Sequence, residues 1–102
     1  MAKGNMMLQA RRMQSQIQQL QEDLTEQVFE GAAGGGLVKV IADGRQKVKK
    51  IDIDPEAIDP EDLDELADLV TAAVNMAIQA SLNHSRAEMK KITGGLVLPG
   101  MM

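Results

Sequence analysis

Six apolar residues near the start of the chain, Met6, Ala10, Met13, Ile17, Leu20 and Leu24, recur at alternating intervals of four and three. That is a heptad seam sustained over almost three heptads, and it predicts a helix over residues 5–24. Gln9, Gln14, Gln16, Gln18, Gln19 and Gln21 fill the gaps, and they favour helix without adding charge. So narrow a stripe suits pairing with another helix better than lying on a broad core. The alternative use of the same seam is packing against the chain's own sheet or second helix.

Downstream the periodicity changes. Thr25 to Glu30 reads as a short strand, and Gly31 to Gly36 (GAAGGG) as a permissive connection. The glycines match no phosphate-cradling pattern, because there is no GxGxxG, no Walker lysine and no following helix. Leu37 to Ala42 (LVKVIA) is a β-branched strand, Asp43-Gly44 a hairpin signal, and Gln46 to Ile53 the returning strand. A type I turn with a glycine bulge at Asp43-Gly44 would align Val38 with Val48 and Lys39 with Lys47. Arg45, Lys47 and Lys49 would then share a face with Lys39, whereas a two-residue turn would shift that register.

Asp54-Pro55 and Asp59-Pro60 each place a capping acid before a proline, the start signal of a helix. Glu61, Asp62, Asp64 and Glu65 add negative charge where a helix dipole favours it. A long helix is predicted from about Glu61 to Ile92, roughly 48 Å at 1.5 Å per residue. Its stripe is Leu63, Leu66, Val70, Ala73, Ala77 and Ala80, broadened by Leu69, Val74, Met76, Ile78 and Leu82. The apolar surface nearly encircles the middle, which predicts burial on several sides. Gly94-Gly95 ends the helix, and Leu96–Met102 (LVLPGMM) is expected to be a loose tail, as are residues 1–4.

The predicted order is α-β-β-β-α in one small α+β domain spanning residues 1–102. A three-stranded sheet with one layer of helix has open edges, and Phe29 is the sole aromatic available to a core. A two-fold homodimer is the default way to finish such a core. The chain has no cysteine, no continuous apolar leader at its start and no run near the roughly 20 apolar residues that span a bilayer. The expectation is a soluble cytoplasmic protein without membrane association.

Charge comes in blocks beneath a net −4. Residues 1–21 hold Lys3, Arg11 and Arg12 and no acid, and residues 51–68 hold nine acids and no base. Residues 22–30 hold four acids and no base, residues 31–50 hold Lys39, Arg45, Lys47, Lys49 and Lys50 against Asp43 alone, and Arg86, Lys90 and Lys91 outnumber Glu88 near the end. Charges farther apart than about 10 Å barely interact at physiological salt, so a polyanion senses the local blocks rather than the sum.

The order and spacing of these segments resemble the YbaB/EbfC family of bacterial nucleoid-associated proteins. The resemblance rests on MLQARRMQSQIQQLQEDL in the first helix and on GLVKVIADGRQKVKKIDIDPE through the hairpin. It also rests on the alanine-rich long helix and on GGLVLPGM, and covers about residues 5–99. It implies an intertwined homodimer whose helices project like tweezer arms, and duplex DNA binding with little or modest sequence preference. It places the protein in the nucleoid, acting on its organisation and on gene expression.

The candidate DNA-binding residues are Lys3, Arg11, Arg12, Asn83, Arg86, Lys90 and Lys91, on the free start of the first helix and the free finish of the last. Arg86 and Lys90 lie four apart, with Asn83 and Gln79 continuing the row. Lys39, Arg45, Lys47 and Lys49 of the hairpin form a second candidate surface. The bland alternatives are solubilising helix ends and a solvated sheet face. Met6, Ala10, Met13, Ile17, Leu20 and Leu24 are the expected dimer seam. A second reading of the whole chain is a protein-interaction module that uses this seam.

No catalytic set, cofactor, metal or small-molecule substrate is expected. Asp52 and Asp54 begin like a calcium loop, but Ala57 stands where its glycine belongs, and capping explains the acids. His84 has Ser81 and Ser85 nearby without an orienting third group.

Overall fold

The computed structural model describes residues 2–94. α1 spans Ala2–Glu26, β1 Val28–Ala33, β2 Val38–Asp43, β3 Val48–Ile53 and α2 Leu63–Thr93, with 3-10 turns at Gly34–Gly36 and Pro55–Ala57. The α-β-β-β-α order and the antiparallel sheet, arranged β1-β2-β3, agree with the sequence. The tail 96–102 lies outside the described residues. α1 is longer at both ends than the heptad stripe alone predicts, and it takes in Lys3.

β1 starts three residues later than predicted and runs through Gly31. The reason is packing. A Cβ at Gly31 would overlap the Ala73 carbonyl oxygen and stand 2.6 Å from Ala77 N. Glycine on the strand and alanines on the helix together let α2 lie directly on the sheet. Gly34, Gly35 and Gly36 all have positive φ, which turns the chain tightly from β1 into β2.

Opposed residues fix the two faces of the sheet. Phe29, Ala42 and Val48 form one row, Gly31, Val40 and Ile51 the next, and Ala33, Val38 and Ile53 the third. These rows face α2. The expected alignment of Val38 with Val48 and Lys39 with Lys47 does not occur, because Val38 opposes Ile53 and Lys39 opposes Asp52. The turn centres on Arg45 instead of Asp43, and a bulge at Lys49 adds one more residue of offset. Lys39 therefore sits among Ala32 and Asp52, away from the loop that carries Arg45 and Lys47.

The second cap also moves. Asp54 caps the short turn at Pro55, its side chain accepting from Glu56 N, as its spacing from the proline predicts. α2 is capped by Asp62, which accepts from Glu65 N at 3.2 Å, and Asp59 instead holds Glu61 N at 2.9 Å. Gly94 closes α2 at φ 64°, its N–H reaching the Lys90 carbonyl.

The buried core is small: Val38, Val40 and Ala42 against Ala73 and Ala77, ringed by Ala33, Leu66, Leu69, Val70, Val74 and Ile78. α2 lies over β1 and β2, and all six residues of β3 are exposed. Leu63 and Met76 are exposed too, so α2 is covered on one side only within the protomer. The molecule measures 71 × 21 × 17 Å, with a radius of gyration of 18.9 Å. A self-contained globule of this length would have about 13 Å. The excess is helix projecting past the sheet.

Candidate nucleic-acid interface

Both helices leave the sheet at the hairpin end. α1 meets the hairpin through its last turn, where Leu24 is buried and its carbonyl accepts Gly44 N–H at 2.7 Å. α2 meets it through Ser81, which is fully buried. From Ser81 to Thr93 the helix runs on for about 18 Å, and from Leu24 back to Ala2 α1 extends about 33 Å. The two helices touch each other. Together they form an arm rooted at the hairpin.

Arg11, Arg12, Asn83, Arg86 and Lys90 are exposed along this arm. Lys3 falls in the first turn of α1. Arg86 stands at the root of the arm and not at its tip, because the neighbouring Ser85 touches the hairpin residue Gln46 at 3.3 Å. Asn83 accepts a hydrogen bond from Gln79 Nε2 at 2.8 Å, which joins the two amides of the predicted row. Lys91 donates to Glu88 Oε1 at 2.9 Å. That bond, with the charges of Lys91 and His84, outweighs partial desolvation and holds the Glu88 carboxyl below its usual range. Among the described arm side chains, Lys91 is the cation paired with a carboxylate.

The hairpin cations separate into two groups. Lys39 faces Asp52 across the sheet, and Lys50 pairs with that same Asp52 at 3.5 Å. Arg45, Lys47 and Lys49 line an open groove of about 350 Å³ with Thr25 and Asp43, against the last turn of α1. Asp43 is committed to its own loop: Oδ1 accepts Arg45 N at 2.8 Å and Lys47 N at 3.1 Å, and Oδ2 lies 3.8 Å from Lys49 Nζ. Burial pushes this carboxyl up. The Lys47 and Arg45 N–H donors, then the charges of Lys49 and Lys47, outweigh burial and hold it below the ordinary range.

Residues that sequence reasoning passed over hold the loop. Ser81 Oγ donates to the Asp43 carbonyl at 2.6 Å and accepts from Gln46 N at 3.3 Å and Gln46 Nε2 at 3.1 Å. Gln46 has φ 63°, the single left-handed non-glycine among the described residues. A serine on the apolar stripe of α2, one turn beyond Ala77, was the available signal. His84 packs its ring 5.2 Å from that of Phe29, and its Nε2 is buried without a hydrogen-bond partner among the described residues.

The nine acids of residues 51–68 gather around the end of β3 and the start of α2, at the far end of the strands from the hairpin. Six residues of β3 separate the two ends by about 17 Å. That is about two Debye lengths at physiological salt, so these nine do little to the field at the arm, whose own acids are Glu22, Asp23 and Glu26 in the last turns of α1 and Glu88 on α2.

No helix of the described residues is long and apolar enough to cross a membrane. A crystal structure of an uncharacterized Helicobacter pylori protein superposes with a TM-score of 0.75 over 83% of this chain and 89% of that one, at 21% identity, and so shares the fold. A nucleoid-associated protein of Moorella thermoacetica is 52% identical over 103 residues, covering 98% of this chain and 99% of the relative. One from Caldanaerobacter subterraneus is 45% identical over 98 residues, covering 96% and 88%. Residues 1–96 match the family model as well, and with the helical arm, the three-stranded sheet and these relatives they give one answer: the chain belongs to the YbaB/EbfC DNA-binding family.

Proposed function

We propose that two copies pair and that the pair binds duplex DNA through its cationic arms, with little or modest sequence preference. The observation that carries pairing is the apolar surface the protomer leaves uncovered. Val48, Ile51 and Ile53 face the α2 side of the sheet but lie beyond the reach of α2, and all three are exposed. Along the seam Met6 is 67% exposed and Leu24 4%, with Met13, Ile17 and Leu20 in between. A seam anchored at one end and open at the other is what a second helix would cover. An isologous interface would unite these surfaces in one core.

Pairing doubles the arms, each carrying Lys3, Arg11, Arg12, Asn83, Arg86, Lys90 and Lys91, with the hairpin cations at the root. Basic side chains on projecting helices bind the phosphate backbone and release counterions, a mode indifferent to base sequence. The relatives' names place those proteins in the nucleoid, and this chain works there on the same reading, organising DNA and influencing gene expression. The family and relatives are named for DNA association and not for a catalysed reaction.

A gel-shift titration at two salt concentrations tests the proposal. The duplex should be retarded at low salt and progressively released as salt rises. Joint replacement of Arg86, Lys90 and Lys91 by alanine should weaken binding and flatten its salt dependence while the variant still pairs. A purified chain that retards no duplex at low salt would point instead to a protein-interaction module using the seam.

A further inference from the structure

The root of the arm is built with more care than a solvated turn requires. Gln46 occupies a backbone conformation that side-chain-bearing residues seldom adopt, and its amide is locked in place. Nε2 donates to the Gly44 carbonyl at 2.9 Å, to Ser81 Oγ at 3.1 Å and to Ser85 Oγ at 3.3 Å. Its backbone N–H reaches the Asp43 carbonyl at 3.2 Å as well as Ser81. The loop is thus fastened to α2 by one side chain that spans two successive turns of the helix. Residues held in such conformations by their surroundings cluster at active sites, ligand clamps and switch regions.

What the latch fixes is charge. Arg45 and Lys47 flank Gln46 in sequence, and with Lys49 they line the groove beside Thr25. The one carboxylate within the groove, Asp43, spends Oδ1 on two backbone N–H groups of the loop. Among the described residues no carboxylate lies within 4.0 Å of the Arg45 guanidinium or the Lys47 ammonium. Asp43 Oδ2 pairs with Lys49 at 3.8 Å, while Oδ1 organises the loop that presents Arg45 and Lys47.

We infer that the hairpin end is a pre-formed phosphate clamp, in which Arg45, Lys47 and Lys49 bind a backbone phosphodiester and Gln46 is the positioning residue that holds them against the arm. This rests on the DNA-binding reading and adds to it a fixed floor beneath the projecting helices. Two sources share the chemistry: the phosphodiester of a duplex and a free polyphosphate chain. Pre-organised cations lose less freedom when they bind than cations on a mobile loop, so the latch contributes affinity without touching the ligand.

The test uses the full chain, a short duplex and inorganic polyphosphate, with the thermal midpoint recorded for every variant. Gln46→Gly keeps the turn, since glycine adopts φ 63° freely, but removes the latch. It should lower affinity for the duplex at least fivefold, measured well below its thermal midpoint, with the paired state retained. Unchanged affinity in that variant overturns the inference, whatever happens to its melting. If Gln46→Gly does not fold, the exposed pair Arg45→Ala/Lys47→Ala serves, and must lower affinity at least tenfold and reduce the salt slope; wild-type behaviour there overturns it equally. Polyphosphate held through Arg45 and Lys47 by a wild-type chain that ignores duplex would uphold the clamp and sink the DNA reading. Failure to bind either polyanion would sink both.

Discussion

Gly44 and Leu24 meet so closely that no side chain fits between them. The Gly44 N–H donates to the Leu24 carbonyl at 2.7 Å, and a Cβ on residue 44 would stand 2.7 Å from that same oxygen and 2.9 Å from the Leu24 Cβ. This contact fastens the root of α1 to the hairpin. Gly44→Ala should therefore loosen the arm as well as destabilise the fold, by about 1–3 kcal/mol in urea unfolding, the usual cost of overpacking. Amide exchange in the last turns of α1 should accelerate more than exchange in β2. Equal acceleration throughout would mean that α1 is held elsewhere.

The contact between α2 and the sheet gives a parallel prediction. Gly31→Ala puts a methyl group into the Ala73 carbonyl, which is backbone and cannot step aside cheaply. Denaturant melts should show a loss of about 3 kcal/mol. Ser81→Ala acts differently, leaving the Asp43 carbonyl and the Gln46 N–H without their helix partner in a buried place. Its cost should be about 1–3 kcal/mol.

Much of this was legible in the sequence and some was not. The heptad seam, the β-branched run Leu37–Ala42 and the acid-proline starts are local signals, and they gave the element order. The register was not legible, because Asp43-Gly44 announces a turn without saying where it centres. The left-handed residue proved to be Gln46, chosen by tertiary bonds to Ser81 and Ser85 that leave no trace in turn propensity. Gly31 reads as loop until the approach of Ala73 is known. On the arm, the exposed Arg11, Arg12, Arg86 and Lys90 were legible as charge, but the pairing of Lys91 with Glu88 depends on which rotamers meet.

Acid stability should report on the hairpin. The Asp43 carboxyl is held below its ordinary range when folded, so it adds stability above the unfolded carboxylate value, near 4. That contribution fades as pH falls through the lower folded value. Asp43→Asn should be less stable at neutral pH and lose less on acidification, measured by urea midpoints from pH 6 to pH 2. A variant whose midpoints track the wild type at every pH would remove Asp43 from this role.

The arm lysines should not contribute equally to DNA binding. Lys91 is engaged by Glu88 at 2.9 Å, and Lys90 has no carboxylate partner among the described residues. Lys90→Ala should weaken duplex binding severalfold more than Lys91→Ala in fluorescence anisotropy. Glu88→Gln, by releasing Lys91, should tighten binding at low salt. Looser binding by Glu88→Gln would show that the pair positions Lys91 for the phosphate instead of withholding it.

Every part of the DNA-binding account assumes that a second protomer covers Val48, Ile51, Ile53 and the open length of the α1 seam. Sedimentation equilibrium of the purified full chain at micromolar concentration measures this directly. The account predicts a mass twice the 11.0 kDa of one chain, falling toward a single chain in Ile17→Lys/Ile51→Lys. A folded wild-type chain sedimenting at 11.0 kDa would contradict it.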